Sequence, residues 1–198
     1  MIAALIILGS FLAGSIPFGV LVGRAFFRVD LRASGSGNIG AANALRTLGK
    51  WPAFIVLVLD ALKGGLPAAV GLGYGGAALP WLGPAAGAAA ILGHVYSPWL
   101  RWRGGKGVAT HLGVLIALAW PAAAVFGLVW LGAVAATNYS SVGSLAGTFA
   151  SALVLWYVAG PWAGDYGAFA SLLILYTHRE NVARLRAGTE NPLRKVAP

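Results

Sequence analysis

The sequence contains no cysteine and only five Asp and Glu residues in 198. Without cysteine there are no disulfides, no thiol nucleophiles and no thiolate metal sites. With so few carboxylates and no H-E-x-x-H pattern, no structural or catalytic metal is expected, and no other cofactor. Charge of either sign is scarce, at 10% of residues against 59% hydrophobic. Soluble domains carry about 25% charged residues, so composition alone indicates a membrane protein. The start of the chain has no basic segment before its first apolar run from Ile2, so a first membrane helix is expected there, not a cleaved signal. Internal repeats, linkers and low-complexity stretches are also missing, so residues 1–198 are expected to form one integral-membrane domain.

The charge that is present is mostly positive, giving a net charge of +9. In a soluble chain this would suggest nucleic acid. Here the tendency of basic residues to collect in cytoplasmic loops accounts for it, and no nucleic-acid partner is expected. A bilayer core needs roughly 20 apolar residues per helix. Apolar runs occupy about Ile2–Val22, Trp51–Gly73, Trp81–Pro98, Gly107–Ala136, Gly143–Val158 and Tyr166–Thr177. The fourth would be ~45 Å long as one straight helix, too long for a bilayer. Pro121 at its centre predicts two short helices turning near Trp120. This gives an all-α protein of about seven spans, two of them short, with the N-terminus outside and the C-terminus cytoplasmic. All basic residues except Lys63 then lie on the cytoplasmic side, including those of the tail, Arg179, Arg184, Arg186, Arg194 and Lys195.

The same topology brings every polar, glycine-rich segment to one face: Ser34–Arg46, Arg101–Thr110, Asn138–Ser141 and His178–Asn181. The first reads SGSGNIGAANALR, and its Gly35, Gly37 and Gly40 match G-x-G-x-x-G with Asp60 about twenty residues on. A dinucleotide fingerprint needs a preceding strand, however, and an apolar helix precedes this one. What survives is an anion-binding loop, in which successive N–H groups form a nest and glycine allows close approach. The second segment places Gly104, Gly105 and Gly107 around Lys106 at a helix start. It is not a Walker motif, because Leu100 and Gly107 stand where that motif needs Gly and Ser or Thr. Helix-end N–H groups beside an ammonium suit phosphate all the same.

His94 and His111 are read as hydrogen-bonded helix-packing residues, and Asp60 and Lys63, at i,i+3 in an apolar run, as a structural ion pair facing the bundle. The tail carrying Arg184, Arg186 and Glu190 is read as a solvated basic end near anionic lipid. A transporter of phosphate or organic anions would share the anion loops. It would also need polar residues leading to the outer face, where the turns offer only Asp165. A purely structural membrane scaffold leaves the glycine-lysine loops unexplained.

Taken in order, SGSGNIGAANALR, DALKG at Asp60–Gly64, GHVYSPWLRWRGGKGVAT, NYSSVG and HRENVARL resemble the bacterial membrane glycerol-3-phosphate acyltransferases that take their acyl group from acyl phosphate. The resemblance covers nearly the whole chain. It implies transfer of a fatty acyl group from acyl phosphate to the 1-hydroxyl of sn-glycerol 3-phosphate, giving lysophosphatidic acid and phosphate, the first step of phospholipid synthesis. It further implies residence in the bacterial cytoplasmic (inner) membrane, a site facing the cytoplasm, lipid as the surrounding partner, and no obligate protein partner. Carried over by residue, Arg46, Lys106 and His178 take catalytic places. Ser36, Gly37, Asn38, Gly40, Asn43, Gly104, Gly105, Gly107, Ser141 and Asn181 take substrate-binding places. One departure concerns the first motif, usually G-A-T-N and here Gly40-Ala41-Ala42-Asn43, so that any contact given to that threonine is absent or supplied by water.

Overall fold

The computed structural model describes residues 1–193; the basic residues Arg194 and Lys195 lie outside the described residues. Among those described there are ten α-helices and no strand. Seven apolar segments of the expected kind are all helical. The first is broken: α1 (Ile2–Ser15) stops at Pro17 and α2 (Phe18–Phe27) resumes at once. The proline has no N–H to continue the ladder. Lys63 donates to the Ile16 carbonyl at this break, 2.7 Å away, beside the Phe18 N–H that the same carbonyl accepts at 3.1 Å.

After a single turn of 3-10 helix at Leu31–Ala33, the loop runs into α3 (Ala41–Leu48), a short helix not anticipated inside the glycine-rich stretch. The long α4 (Lys50–Gly75) follows, then α5 (Leu82–Val95), shorter than the expected span. The long apolar run divides as Pro121 predicts: α6 (Val108–Leu118) ends, Ala119 is extended, and α7 (Trp120–Thr137) begins. Helices α8 (Ser140–Ala159) and α9 (Pro161–Thr177) complete the set, and α10 (Arg179–Arg186) turns off at His178.

By length and composition, Ile2–Phe27, Lys50–Gly75, Trp120–Thr137 and Ser140–Ala159 can each cross a membrane. Large apolar side chains such as Leu5, Leu66, Leu128, Leu153 and Leu172 face outward, as lipid-facing positions do. Where helices touch, small residues let the backbones close in: Gly14 of α1 lies on the backbone of Ala90 in α5, and Gly113 of α6 on that of Ala61 in α4. A Cβ at either position would collide with main chain. Helix α5 is packed by α1, α4, α6 and α9, while α7, α8 and α9 lie side by side. The buried cluster of Ile91, Val114, Leu115, Phe126, Leu155 and Ala170 joins the two groups.

Candidate active site

Three segments far apart in sequence meet around one cavity of about 240 Å³. The first wall is the loop before α3, and one side chain organises it. Asn43 is 1% exposed. Its Nδ2 donates to the carbonyls of Leu31, Ser34 and Asn38 at 2.8–2.9 Å, and its Oδ1 accepts from Ser36 N–H at 2.8 Å. Asn38 Oδ1 in turn accepts from Gly40 N–H. Gly35 has φ +59 and packs directly on the Asn43 amide, so both its conformation and its lack of Cβ are required. Ser36, Asn38, Gly40, Ala42, Asn43 and Arg46 line the cavity. Gly37 does not; its N–H closes a turn on the Ser34 carbonyl. The start of α3 faces the opening, and the first N–H groups of any helix lack acceptors within it.

The second wall is the segment after α5. Gly104 N–H donates to Val95 O at 2.9 Å and Gly105 N–H to His94 O at 3.1 Å. These two glycines therefore do not line the cavity, and their N–H groups are already taken by backbone carbonyls rather than left for an anion. Both lie so close to α5 that a Cβ at Gly104 would meet the His94 carbonyl and one at Gly105 the His94 ring. Lys106 and Gly107 do face the cavity, together with Val108 and Ala109 at the start of α6. The Lys106 carbonyl accepts from Thr177 Oγ1 at 3.1 Å, which ties the segment to the end of α9.

The third wall comes from α8, α9, α10 and the chain beyond. Ser141, His178 and Asn181 are all there, as the sequence indicated. Asn181 Oδ1 accepts a short hydrogen bond from Lys106 Nζ. His178 and Asn181 share a face although the helix is interrupted between α9 and α10. His178 Nδ1 sits 2.8 Å from the Ile174 carbonyl. A carbonyl can only accept, so Nδ1 carries the proton and Nε2 is left as an acceptor.

Glu190, read from sequence as part of a solvated tail, is instead 7% exposed at the centre of this wall. Its carboxylate accepts from Ser141 Oγ at 2.9 Å, Asn181 Nδ2 at 2.6 Å and Arg184 Nε at 2.9 Å. Arg46 reaches the same segment, donating to the carbonyls of Asn191 and Pro192 at 3.2 and 3.0 Å. The solvated-tail reading fails for Arg184 and Glu190 because the chain folds back after Gly188, whose φ of +68 makes the turn. Arg186 remains exposed. The signal was available: a carboxylate is rare in this sequence, and one beside several cations is a candidate partner for them.

Opposite the polar walls the cavity is apolar, bounded by Leu57, Leu112, Phe126, Gly127, Trp130 and Leu131. Asp60 and His94 also reach it. The Asp60–Lys63 ion pair forms as expected, at 2.7 Å with both side chains buried. His111 is the packing histidine the sequence suggested, with Nδ1 2.9 Å from Tyr166 Oη. His94 is not: its Nδ1 is buried with no hydrogen-bond partner among the described residues. No group of three or more His, Asp or Glu able to hold a metal occurs among the described residues.

Burial sets the electrostatics. It lowers the Lys106 ammonium to about 8, against an opposing pull from Glu190. It lowers His178 to about 4, with Lys106 acting in the same direction, so the imidazole is neutral at pH 7. Arg46 is also lowered, chiefly by burial. Burial works to raise Glu190, but the hydrogen bonds from Asn181, Arg184 and Ser141 outweigh it and hold the carboxylate below its usual range. The site can thus present two cations, a neutral hydrogen-bonding imidazole and two helix starts to an anion, beside an apolar channel.

Comparison with known proteins gives a consistent picture. The family described as "Glycerol-3-phosphate acyltransferase" matches residues 4–188. A glycerol-3-phosphate acyltransferase of Rhodopseudomonas palustris (strain BisB5) is 45% identical, over 96% of this chain and 94% of that protein. One from Synechococcus sp. (strain JA-3-3Ab) is 45% identical, over 95% and 92%. The crystal structure of PlsY (YgiH), an integral membrane glycerol 3-phosphate acyltransferase, in its glycerol 3-phosphate form superposes with a TM-score of 0.91 at 36% identity, covering 97% of this chain and 96% of that one. Its lysophosphatidic acid form gives 0.89 at 34% identity, covering 97% and 95%.

Proposed function

The chain belongs to the glycerol-3-phosphate acyltransferase family, and from that premise we propose that its acyl donor is acyl phosphate and its acceptor the 1-hydroxyl of sn-glycerol 3-phosphate. The products are lysophosphatidic acid and inorganic phosphate. The observation that carries this reading is a single cavity that joins two helix starts, Arg46, Lys106 and His178 to an apolar channel. Two phosphate-bearing substrates need two anion positions, and one of them brings an alkyl chain that the apolar side would take.

The hydroxyl oxygen attacks the acyl carbonyl carbon. The new ester C–O bond forms, the C–O bond to phosphate breaks, and phosphate leaves. No enzyme nucleophile is required, so positioning and electrostatic stabilisation carry the rate. Lys106, with Asn181 holding its ammonium, and Arg46 offset phosphate charge. His178 Nε2, oriented by the Nδ1–H bond to Ile174 O, accepts a hydrogen bond from a substrate hydroxyl. An imidazole lowered to about 4 is a weak base. The proton therefore passes to an oxygen of the departing phosphate, whose second pKa is near neutrality. Ser36, Asn38, Gly40 and Gly107 border the anion positions, and Ser141 and Asn43 hold the walls.

The wider setting belongs to the same proposal: seven spans in one domain of residues 1–198, N-terminus outside, in the bacterial cytoplasmic membrane with the site facing the cytoplasm. The distribution of basic residues supports it. Purified protein given palmitoyl phosphate and labelled glycerol 3-phosphate should form lysophosphatidate, and given palmitoyl-CoA should not. Turnover with the thioester alone would reject the donor. For orientation, single cysteines introduced at positions 121 and 139 should be labelled from outside and inside respectively. Outside labelling at 139 would sink the seven-span arrangement.

A further inference from the structure

His94, in the last turn of α5, lies between a buried ion pair and the segment that carries Lys106. On one side its carbonyl accepts the Gly105 N–H at 3.1 Å. Its ring edge fills the space where a side chain on Gly105 would go, together with Ile39 Cγ1, which lies 3.1 Å from that point. On the other side Nδ1 is 3.9 Å from Asp60 Oδ1, and Lys63 holds Asp60 at 2.7 Å. Asp60, Lys63 and His94 are 1%, 5% and 3% exposed. Neither Asp60 oxygen nor His94 Nδ1 has an aligned hydrogen-bond partner among the described residues. Helix packing alone does not call for this arrangement. Apolar side chains would fill the same volume without the desolvation cost of buried charge.

We propose that His94 is a positioning residue: seated against the Asp60–Lys63 pair, its imidazole is the wedge on which Gly105 rests, and it thereby fixes where Lys106 and the start of α6 meet the substrate. Gly105 is then glycine because of His94, and not because an anion lies against its Cα. Lys106 is the next residue in the chain, so displacement of Gly105 passes directly to the ammonium. A shift of about 1 Å in such a group can cost on the order of 100-fold in rate. This inference rests on Lys106 serving the anion as described above.

The test is a double-mutant cycle on the full-length protein, with steady-state kinetics and size-exclusion profiles in detergent for each member. Gly105→Ala should lower kcat/KM by about tenfold or more. His94→Ala should lower kcat/KM by about tenfold, with kcat falling as well as KM rising, because the ammonium that it positions is displaced. In the His94→Ala background, Gly105→Ala should cost almost nothing, because the methyl occupies the space the ring has left. Equal damage by Gly105→Ala with and without the imidazole would overturn the proposal. If His94→Ala does not yield folded protein, His94→Asn carries the same test: it frees volume beside Gly105 and can still donate toward Asp60. Failure to rescue Gly105→Ala by His94→Asn would then count against the wedge. The functional reading is tested separately by wild-type turnover with acyl phosphate, and the cycle is equally readable with whatever donor the wild type accepts.

Discussion

The two glycine-rich segments, Ser34–Arg46 and Arg101–Thr110, look alike in sequence and are built on different principles. In the first, the glycines serve backbone conformation, and Gly35 also lets the chain close on Asn43. Gly35 and Gly37 have positive φ, and the loop curls around Asn43, which bonds to four backbone groups. The loop carries its own organiser. In the second, Gly104 and Gly105 serve close approach: they lie on the end of α5 and give their N–H groups to it. That segment takes its shape from a neighbour. Glycine enrichment by itself does not separate these cases, and only in part does it mark N–H groups free for an anion. The groups left for a ligand are at the starts of α3 and α6, at the cavity rim.

The largest effect should come from the second segment's cation. Lys106→Met removes the ammonium proposed to offset phosphate charge and should lower kcat/KM by ~100- to 1,000-fold. The pH profile sharpens this. Burial has brought Lys106 down to about 8, so its proton is lost earlier than from a free lysine. In wild type kcat/KM should fall as pH rises through about 8, and Lys106→Arg should carry activity to higher pH. An unchanged alkaline limb in the arginine variant would assign the titration elsewhere.

Next comes the first loop's organiser. Asn43→Ala removes the four hydrogen bonds that hold the loop, each worth about 0.5–1.5 kcal/mol net. Thermal unfolding in detergent should drop clearly, with loss of turnover. If stability held and only KM rose, the loop would owe its shape to something other than Asn43, and the contrast with the second segment would collapse.

His178→Gln tests the wall both segments face. It keeps hydrogen-bonding capacity but disturbs the Nδ1–Ile174 anchor. KM for glycerol 3-phosphate should rise about tenfold, as for a well-placed hydrogen bond to a neutral hydroxyl, while kcat stays within about tenfold. A thousandfold fall in kcat at constant KM would make His178 a general base instead. The smallest effect belongs to Ala42, at the cavity edge where relatives are expected to have threonine. Ala42→Thr adds one neutral hydroxyl and should lower a KM by ~2- to 10-fold. No change in either KM would show that the hydroxyl has no partner in this site.

Local and one-dimensional features were legible from the chain alone. Apolar runs marked the helices, because in lipid their backbone N–H and C=O groups can be satisfied only within the segment. Pro121 marked the α6–α7 break, because it cannot continue the hydrogen-bond ladder. Lys63 inside an apolar run required Asp60 one turn away, since an unpaired charge there is too costly. The polar segments marked where a site would gather, and the family resemblance singled out Arg46, Lys106, Ser141, His178 and Asn181 within them. What the sequence left undecided were relations between residues distant along it. Glu190 became the centre of the third wall only because the chain turns at Gly188 and returns across α8 and α10. The N–H groups of Gly104 and Gly105 were spoken for only once α5 was placed beneath them. His94 stood apart from His111 only when one ring was seen to bond Tyr166 while the other lay unbonded between Asp60 and Gly105. Periodicity and charge are properties of a segment; a hydrogen bond across a cavity depends on where two segments are held, which the packing of α4, α5, α6 and α9 decides.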